Sequence, residues 1–320
     1  MNYFANPRRR LLHVLPHGRI SGLTMFAAEL TRELKEYQHT LIFLGPTEQI
    51  VETLLYTLQA GGTDVLSMPE RIEHDTNQYN GVVFYDNDAF SMGSNCIHYC
   101  YDPTLQYDRS NGMTIAASAQ CAAALVGGAH RIIPPAVNAR SYRRIEKLPD
   151  RPFSIGIVSS DYAHRYPKSE MNYLLKHMPK GMRLIMSRPG FKSVPPKDKS
   201  VWHIPVMVEA TGKLLSLVDI AIYSHRPAVR SWYGRAGVEI LASGTPMLCR
   251  RDETLATQLT DGANAAFYSS NEEMLQLIMK LHDHRDWGEM LSANGAQWAA
   301  WQDITIHVGA FKGALRELGI

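Results

Sequence analysis

The chain has 320 residues, 33 basic and 31 acidic, for a formal charge of +2, a length that accommodates one large domain or two ordinary ones. Hydrophobic residues make up 45% and charged residues 20%, which excludes wholesale disorder, and no apolar run is long enough for a membrane-spanning helix. A charge so near zero argues against a protein that coats nucleic acid, while leaving room for a local basic groove.

The opening, MNYFANPRRRLLHVLP, puts charge ahead of a short apolar stretch that ends at Pro16 and His17 with no small-residue cleavage site. A strand at 11–16 is predicted there rather than a signal peptide. A Gly-bearing loop, HGRISG, follows at 17–22. The helix predicted over 23–37 places Leu23, Phe26, Ala27, Leu30 and Leu34 on one face. Next come a strand at 39–45, a helix at 51–62 ending in glycines, and strands at 64–69, 81–86 and 95–102. Residues 114–117 read as a strand that turns into a helix with Ser118 as N-cap. A strand at 131–137 is stopped by prolines. Polar, charged and Pro-bounded, 138–152 reads as a domain boundary. Beyond it the rhythm restarts, with strands at 153–160, 183–189, 201–206, 220–225 and 245–250. Helices are predicted at 169–179, 212–219, 235–244 and 272–284, and a helical pattern over 296–318. Strand–helix alternation on both sides of one boundary predicts an α/β chain with two Rossmann-like parallel-sheet domains. Ligands are expected off the carboxyl ends of the strands and in a cleft where the domains face.

Four cysteines, at 96, 100, 121 and 249, are too sparse for a disulfide framework and lack zinc spacing, so reduced, partly buried thiols of a cytosolic protein are expected. The loop 17–22 suits the approach of backbone N–H groups to an anion or a sugar. It is not G-x-G-x-x-G, and no acidic residue ends the second strand, so a dinucleotide dehydrogenase is disfavoured. The segment 220–251 sets Arg226, Arg230, Arg235, Arg250 and Arg251 around a single acid, Glu239. Arginines and backbone amides suit a diphosphate, and a carboxylate suits vicinal ribose hydroxyls. Solvated arginines with Glu239 in an ion pair would have the same composition, and counting charges does not separate the two.

The order of residues adds more. GRAGVEILASGTP (234–246) resembles the donor-site signature E-G-F-G-L-x-x-x-E-A-x-A-x-G-x-P-V of the GT-B glycosyltransferases, in particular the large retaining family 4 group, also known as glycosyl transferases group 1. HVLPHGRISGLTMFAAELTREL (13–34) is similar to that family's opening strand, loop and helix, and QHTLIFLG (38–45) to its second strand. SIGIVSSDYAHRYPK (154–168), LLSLVDIAIYSH (214–225) and DGANAAFYSSNEEMLQLI (261–278) resemble successive pieces of its donor domain. The resemblance implies an acceptor-side domain at 1–147, a nucleotide-sugar-binding domain at 148–300 and a helix at 301–320 crossing back to the first domain, with Trp298 and Trp301 as packing anchors.

Carried over position by position, Glu239 would hold the donor ribose, and Gly18 and Gly22 would approach the phosphates. Lys168 would neutralise the departing diphosphate, and Thr245 lies in the turn behind the nucleotide. Gly234, Arg226 and Arg235 fall on the donor side. The chain departs from the pattern where the first glutamate becomes Ser231. An arginine normally five before the lysine becomes Ala163, with Arg165 or Arg226 as substitutes. An H-D-P near the acceptor becomes Tyr101-Asp102-Pro103, and a glycine of the pre-linker segment becomes Ala136. Lys168, Arg165 and Asp102 are the catalytic candidates. Tyr101, His98 and Asp86 are the acceptor-side ones, His98 being weighed against a core histidine and Asp86, with Asp88, against a solvated acid.

By resemblance the activity is metal-independent, retaining transfer of a hexosyl or pentosyl group from a nucleotide-sugar donor, in the cytoplasm, with no cofactor and no stable membrane insertion. Glycan, protein and hydroxymethylated DNA all stay open as acceptor, with Arg8–Arg10 and Arg140–Arg151 as candidates to track phosphates. The alternative is a catalytically degenerate nucleotide-sugar-binding protein, motivated by Ser231 and Tyr101. An epimerase of the same fold is disfavoured by the scarcity of acids and histidines.

Overall fold

The structure is a computed structural model that describes residues 9–16, 21–45, 52–68, 76–86, 95–102, 105, 112–142, 151–158, 168–188, 201–205, 210–224, 234–251 and 253–320. Short apolar runs become strands, the central ones buried on both faces, as parallel sheets require, and the edge ones partly exposed. In the first compact unit these are β1 (Arg9–Leu15), β2 (Tyr37–Leu44), β3 (Asp64–Met68), β4 (Gly81–Tyr85), β5 (Cys96–Cys100), β6 (Met113–Ala116) and β7 (Arg131–Ile132). They form one sheet in the order β3-β2-β1-β4-β5-β6-β7, and every pairing is parallel. The strand order reverses between β1 and β4, which makes that the switch point.

Helices α1 (Gly22–Glu33), α2 (Glu52–Ala60) and α3 (Ala119–Ala124) belong to this unit. Ser21 caps α1 through a reciprocal box with Thr24. Ser118 caps α3 as its sequence position predicts, its Oγ accepting from the Cys121 N–H at 3.0 Å. The C-terminal helix, Ile304–Glu317, packs on α1. Glu36 holds it through Lys312 at 2.8 Å, and Arg131 pairs with Glu317. Ile320 is buried against Gly81, where a Cβ would run into its Cδ1.

The second unit contains β8 (Ser154–Ile157), α4 (Lys168–His177), β9 (Arg183–Arg188), β10 (Val201–Pro205), α5 (Ala210–Leu217), β11 (Ile220–Tyr223), α6 (Arg235–Ala242), β12 (Met247–Arg250), β13 (Ala266–Tyr268), α7 (Asn271–Asp283) and α8 (Arg285–Ala300). Its sheet runs β10-β9-β8-β11-β12-β13, again wholly parallel, with the switch point between β8 and β11. One face carries a core in which Ile157, Ile222, Leu248 and Tyr268 meet Met171 and Leu174 of α4 and Met274 and Ile278 of α7.

Several features differ from the sequence reading. Strand β13 was not anticipated, being only three residues long. α8 starts at Arg285, ahead of the helical pattern predicted at 296–318, and that pattern breaks at Trp301–Asp303. Trp301 is 70% exposed rather than a buried anchor. The compact units are Met1–Pro135 with Ile304–Ile320, and Ala136–Asp303. The division falls at Ala136 because Val137 bridges to Asp303, the Asp303 carboxylate accepts from the Ala139 N–H at 3.0 Å, and the 3-10 turn Ala139–Tyr142 packs on α6.

Candidate functional site

In a parallel sheet each strand hands its chain to a helix at the carboxyl edge, so loop amides and helix N-termini collect there, most openly at the switch point. In the Ala136–Asp303 unit that edge is made by the ends of β8, β11 and β12 and the first turns of α4 and α6. Gly234 precedes α6 in the left-handed region (φ 92°). A Cβ at Gly234 would meet the Tyr223 hydroxyl at 2.8 Å, and one at Gly237 would run into Leu255 Cδ2 and touch the Tyr223 ring at 3.4 Å. Glycine at both positions seats α6 directly on the end of β11.

That seating fixes Arg235 and Glu239. One helical turn apart, their side chains face each other, and Arg235 Nε donates to Glu239 Oε1 at 3.0 Å. Both are buried, at 2% and 9% side-chain exposure. Arg235 Nη1 also donates to the Ala136 carbonyl. The arginine expected to meet a diphosphate is thus committed to the unit's interior, where it orients Glu239. Glu239 itself sits in the second turn of α6, near the carboxyl edge.

The first turn of α4 contributes two charges. Lys168 is its first residue and is exposed. Glu170 is 1% exposed and accepts from Ser224 Oγ at 2.6 Å and from Arg250 Nη1 at 3.0 Å. Ser224 ends β11 and Arg250 ends β12. Burial, together with the Glu170 charge, holds the Tyr268 phenol well above its ordinary pKa. Sequence reasoning missed Glu170 and Ser224. The one signal was an acid two residues after Lys168 in a helix's first turn, where negative charge is favoured.

Thr245 lies elsewhere. It follows the C-terminus of α6 and leads into the amino end of β12, so it stands at the opposite edge from Gly234, about 12 Å along the helix. Its Oγ1 accepts from Ser243 Oγ at 2.8 Å, and it closes the turn. Arg151 is likewise at the amino edge, donating to Asp219 and to the Leu217 carbonyl at 2.8 Å each. Gly18, Asp88, Arg165, Arg226 and Ser231 lie outside the described residues.

In the Met1–Pro135 unit, Gly22 opens α1 after β1, at the carboxyl edge. Asp86 follows β4 with φ 51°, the single non-glycine residue at positive φ among the described residues. Its Oδ1 accepts from the Tyr101 N–H at 2.6 Å, and the Asp102 N–H reaches both carboxylate oxygens at 3.1 and 3.2 Å. Asp86 therefore braces the ends of β4 and β5 and holds Tyr101 and Asp102 at the carboxyl edge beside the switch point. His98 is a core residue: it lies in mid-β5, 4% exposed, stacked on Phe84 at 5.3 Å with Cys96 Sγ 3.6 Å from its Nε2. Arg10, near the start of β1, belongs to the amino edge, bound to Gln78 and Asn80. Of the arginines singled out to track phosphates, Arg9, Arg10 and Arg151 lie at amino edges, and Arg140 is exposed in the 3-10 turn Ala139–Tyr142.

All four cysteines are buried free thiols, and burial pushes Cys96 up to about 11 and Cys121 up to about 12. Among the described residues no three His, Cys, Asp or Glu side chains gather as a metal site, and no helix is long and apolar enough to cross a membrane.

No protein-family model and no curated protein matches the sequence. Solved structures do. The Anabaena protein Alr3699/HepE, solved with UDP and glucose, aligns with a TM-score of 0.73 at 11% identity over 95% of this chain and 99% of its own. A glycosyltransferase from Rickettsia africae ESF-5 aligns at 0.71 and 12% identity, over 98% and 99%. WaaG, a glycosyltransferase involved in lipopolysaccharide biosynthesis, aligns at 0.67 and 11%, over 95% and 98%. At these identities the likeness is one of fold.

Proposed function

We propose, from the GT-B glycosyltransferase fold that this chain shares with those structures, that it moves a sugar from a nucleotide-sugar donor to an acceptor hydroxyl. The donor would be held at the carboxyl edge of the Ala136–Asp303 unit. The observation that carries the reading is the buried Glu239, oriented by Arg235 at the start of α6, the helix that follows β11, which is the neighbour of β8 across the switch point. A carboxylate has about four acceptor positions. The ion pair orients Glu239 through Oε1, and vicinal ribose hydroxyls are the ligand that such a carboxylate suits. Helix N-termini of α4 and α6, with Lys168, suit the diphosphate. HepE's complexes with UDP and UDP-glucose support a uridine diphosphate sugar as donor.

In the proposed step the acceptor oxygen attacks the anomeric carbon on the face from which the diphosphate leaves, so configuration is retained. The nucleoside diphosphate departs with the bonding pair, and the acceptor proton passes to its phosphate oxygen. Lys168 stabilises the developing charge, with no metal required. On the Met1–Pro135 unit, Asp102 and Tyr101, held by Asp86, are proposed to meet the acceptor. With Arg9, Arg10 and Arg151 at amino edges, the reading favours a glycan or protein hydroxyl over DNA, in a cytoplasmic enzyme.

The test is calorimetric titration with UDP-glucose and its GDP and ADP counterparts, followed by transfer assays on glycans and proteins. Glu239→Gln, which keeps shape and removes charge, is expected to weaken donor binding about tenfold, the cost of a hydrogen bond to a charged group. Unchanged affinity and turnover would refute the ribose role. Binding with no hydrolysis or transfer on any acceptor would leave the non-catalytic nucleotide-sugar-binding protein in its place.

A further inference from the structure

Alternation along the strands of the Ala136–Asp303 unit puts Ile222 and Ser224, Leu248 and Arg250, and Tyr268 on the face covered by α4 and α7. Ser224 and Arg250 stand side by side, one at the end of β11 and the other at the end of β12. Glu170 reaches both from the first turn of α4, and both donate to the same oxygen, Oε1. Asn271 Nδ2, at the start of α7, donates to Ser169 Oγ at 2.9 Å and ties that turn down from the other side.

Exposure grades outward through the cluster. Ser224 and Glu170 are each 1% exposed, and the Arg250 side chain is 22% exposed. A buried carboxylate is costly to desolvate, and an aliphatic side chain would fill the same space without that cost. What the carboxylate adds is geometry: it fixes a guanidinium that emerges at the carboxyl edge, one strand from the switch point. A planar fork held from behind is the arrangement that recognises phosphate oxygens by paired, charge-assisted hydrogen bonds. Locking such a group through a buried partner is what keeps it in a productive orientation.

We infer that Arg250 contacts the donor's diphosphate and that Glu170, with Ser224, is the positioning residue that aims it. This rests on the proposed donor site and adds to it a cation that the sequence grouped only with its basic neighbours. Contact through Arg250 selects for a second phosphate, whereas Glu239 addresses the ribose. The two therefore separate by ligand: UDP feels both, and UMP feels Glu239 with much less of Arg250.

The experiment is calorimetric titration of the full chain with UDP and with UMP, for the wild type, Arg250→Ala, Arg250→Lys, Glu170→Gln and the double variant. Arg250→Ala is expected to cut the preference for UDP over UMP about tenfold or more, the range of a charge-assisted bond, with UMP affinity nearly unchanged. Arg250→Lys should recover part of that preference. Glu170→Gln should lower it in the same direction, and adding it to Arg250→Ala should lower it no further. All five tryptophans (202, 232, 287, 298 and 301) fall within this unit, so unfolding followed by their fluorescence shows that each variant is folded. An unchanged UDP/UMP ratio in Arg250→Ala, or a wild type that binds the two alike, overturns the inference and leaves the donor site standing. A further loss from Glu170→Gln in the Arg250→Ala background overturns the positioning role. A wild type that binds neither nucleotide overturns the donor site and this inference together.

Discussion

Acidification is expected to weaken the Met1–Pro135 unit through two buried histidines. His39 Nε2 lies 2.9 Å from the Leu34 carbonyl, which can only accept, so that nitrogen carries a proton. His39 Nδ1 must then accept from His13 Nε2 at 3.0 Å, and His13 Nδ1 accepts from the Tyr85 hydroxyl at 3.0 Å. A second proton on either ring can keep these contacts, with the Tyr85 hydroxyl turned from donor to acceptor, but it places a charge in a buried cluster. Burial, and the His39 charge after it, holds the His13 pKa well below 6.5, and burial lowers His39 as well. The other titratable groups nearby are Glu36, whose charge opposes the His39 shift, Tyr37 beside the His39 ring, and Lys312, which pairs with Glu36.

A base whose folded pKa is depressed takes up protons first in the unfolded chain. The stability is therefore complete above 6.5 and is lost as pH falls through 6.5 toward the folded value. One unit below 6.5 the loss is about 1.4 kcal/mol for His13, with His39 adding part of a similar amount. Urea unfolding by far-UV circular dichroism, at about pH 7.5 and about pH 5.5, compares the wild type with His13→Gln. Glutamine donates and accepts without titrating, so the variant should be less stable at the higher pH and less sensitive to acid by about the His13 amount. Tryptophan fluorescence, confined to the other unit, serves as the internal control. Equal acid losses in the two proteins would refute the reasoning.

Gly237→Ala should leave the stability of the Ala136–Asp303 unit within about 1 kcal/mol of the wild type, because the gain in helix propensity opposes the shift that a Cβ 2.2 Å from Leu255 Cδ2, the end of a flexible side chain, requires; the tryptophan-monitored urea midpoint measures it. Asp86→Ala should cost about 1–3 kcal/mol in circular-dichroism-monitored unfolding, through two lost bonds to a carboxylate and a strained φ that alanine tolerates poorly. Asp86→Asn, which accepts the same N–H groups and tolerates the left-handed region, should cost clearly less. Equal losses in Asp86→Ala and Asp86→Asn would show that neither the brace nor the strain matters.

Much of the fold was legible because both faces of a parallel sheet are buried. Gly81–Tyr85 and Cys96–Cys100 are wholly buried, and such continuous apolar runs read as strands with little help from context. β13 escaped because three residues make no pattern. The break at Trp301–Asp303 escaped because the helical period continues across it, and what ends α8 is the tertiary bridge of Asp303 to Val137 and Ala139. For the site, chain order within a strand–helix–strand unit already implies that Gly234 and Thr245 lie at opposite edges. A motif read as one string conceals this. Glu239 stood out as an acid among arginines, and its spacing from Arg235 implied a shared helical face, yet nothing in the spacing said that both would be buried.

The arginines of 220–251 look in sequence like one basic surface, and where the structure describes them they are three different things. Arg235 turns inward to Glu239 and the Ala136 carbonyl. Arg251, just past β12, pairs at the surface with Asp261 at 2.7 Å, both about half exposed. Arg250, one residue earlier and on the opposite side of the strand, goes to Glu170, which is 80 residues away in the chain. Pairing with a distant buried acid is set by sheet order and by which strand face a helix covers, and neither is visible in local composition. A cation fixed in this way acts through where it is held and much less through the net charge of its segment. Neutralising Arg251 should therefore leave nucleotide affinity unchanged, while Arg250→Ala changes the UDP/UMP ratio about tenfold. If Arg251→Ala and Arg250→Ala weakened UDP equally, the segment would be acting as a diffuse positive field, and aiming by Glu170 would have no part in it.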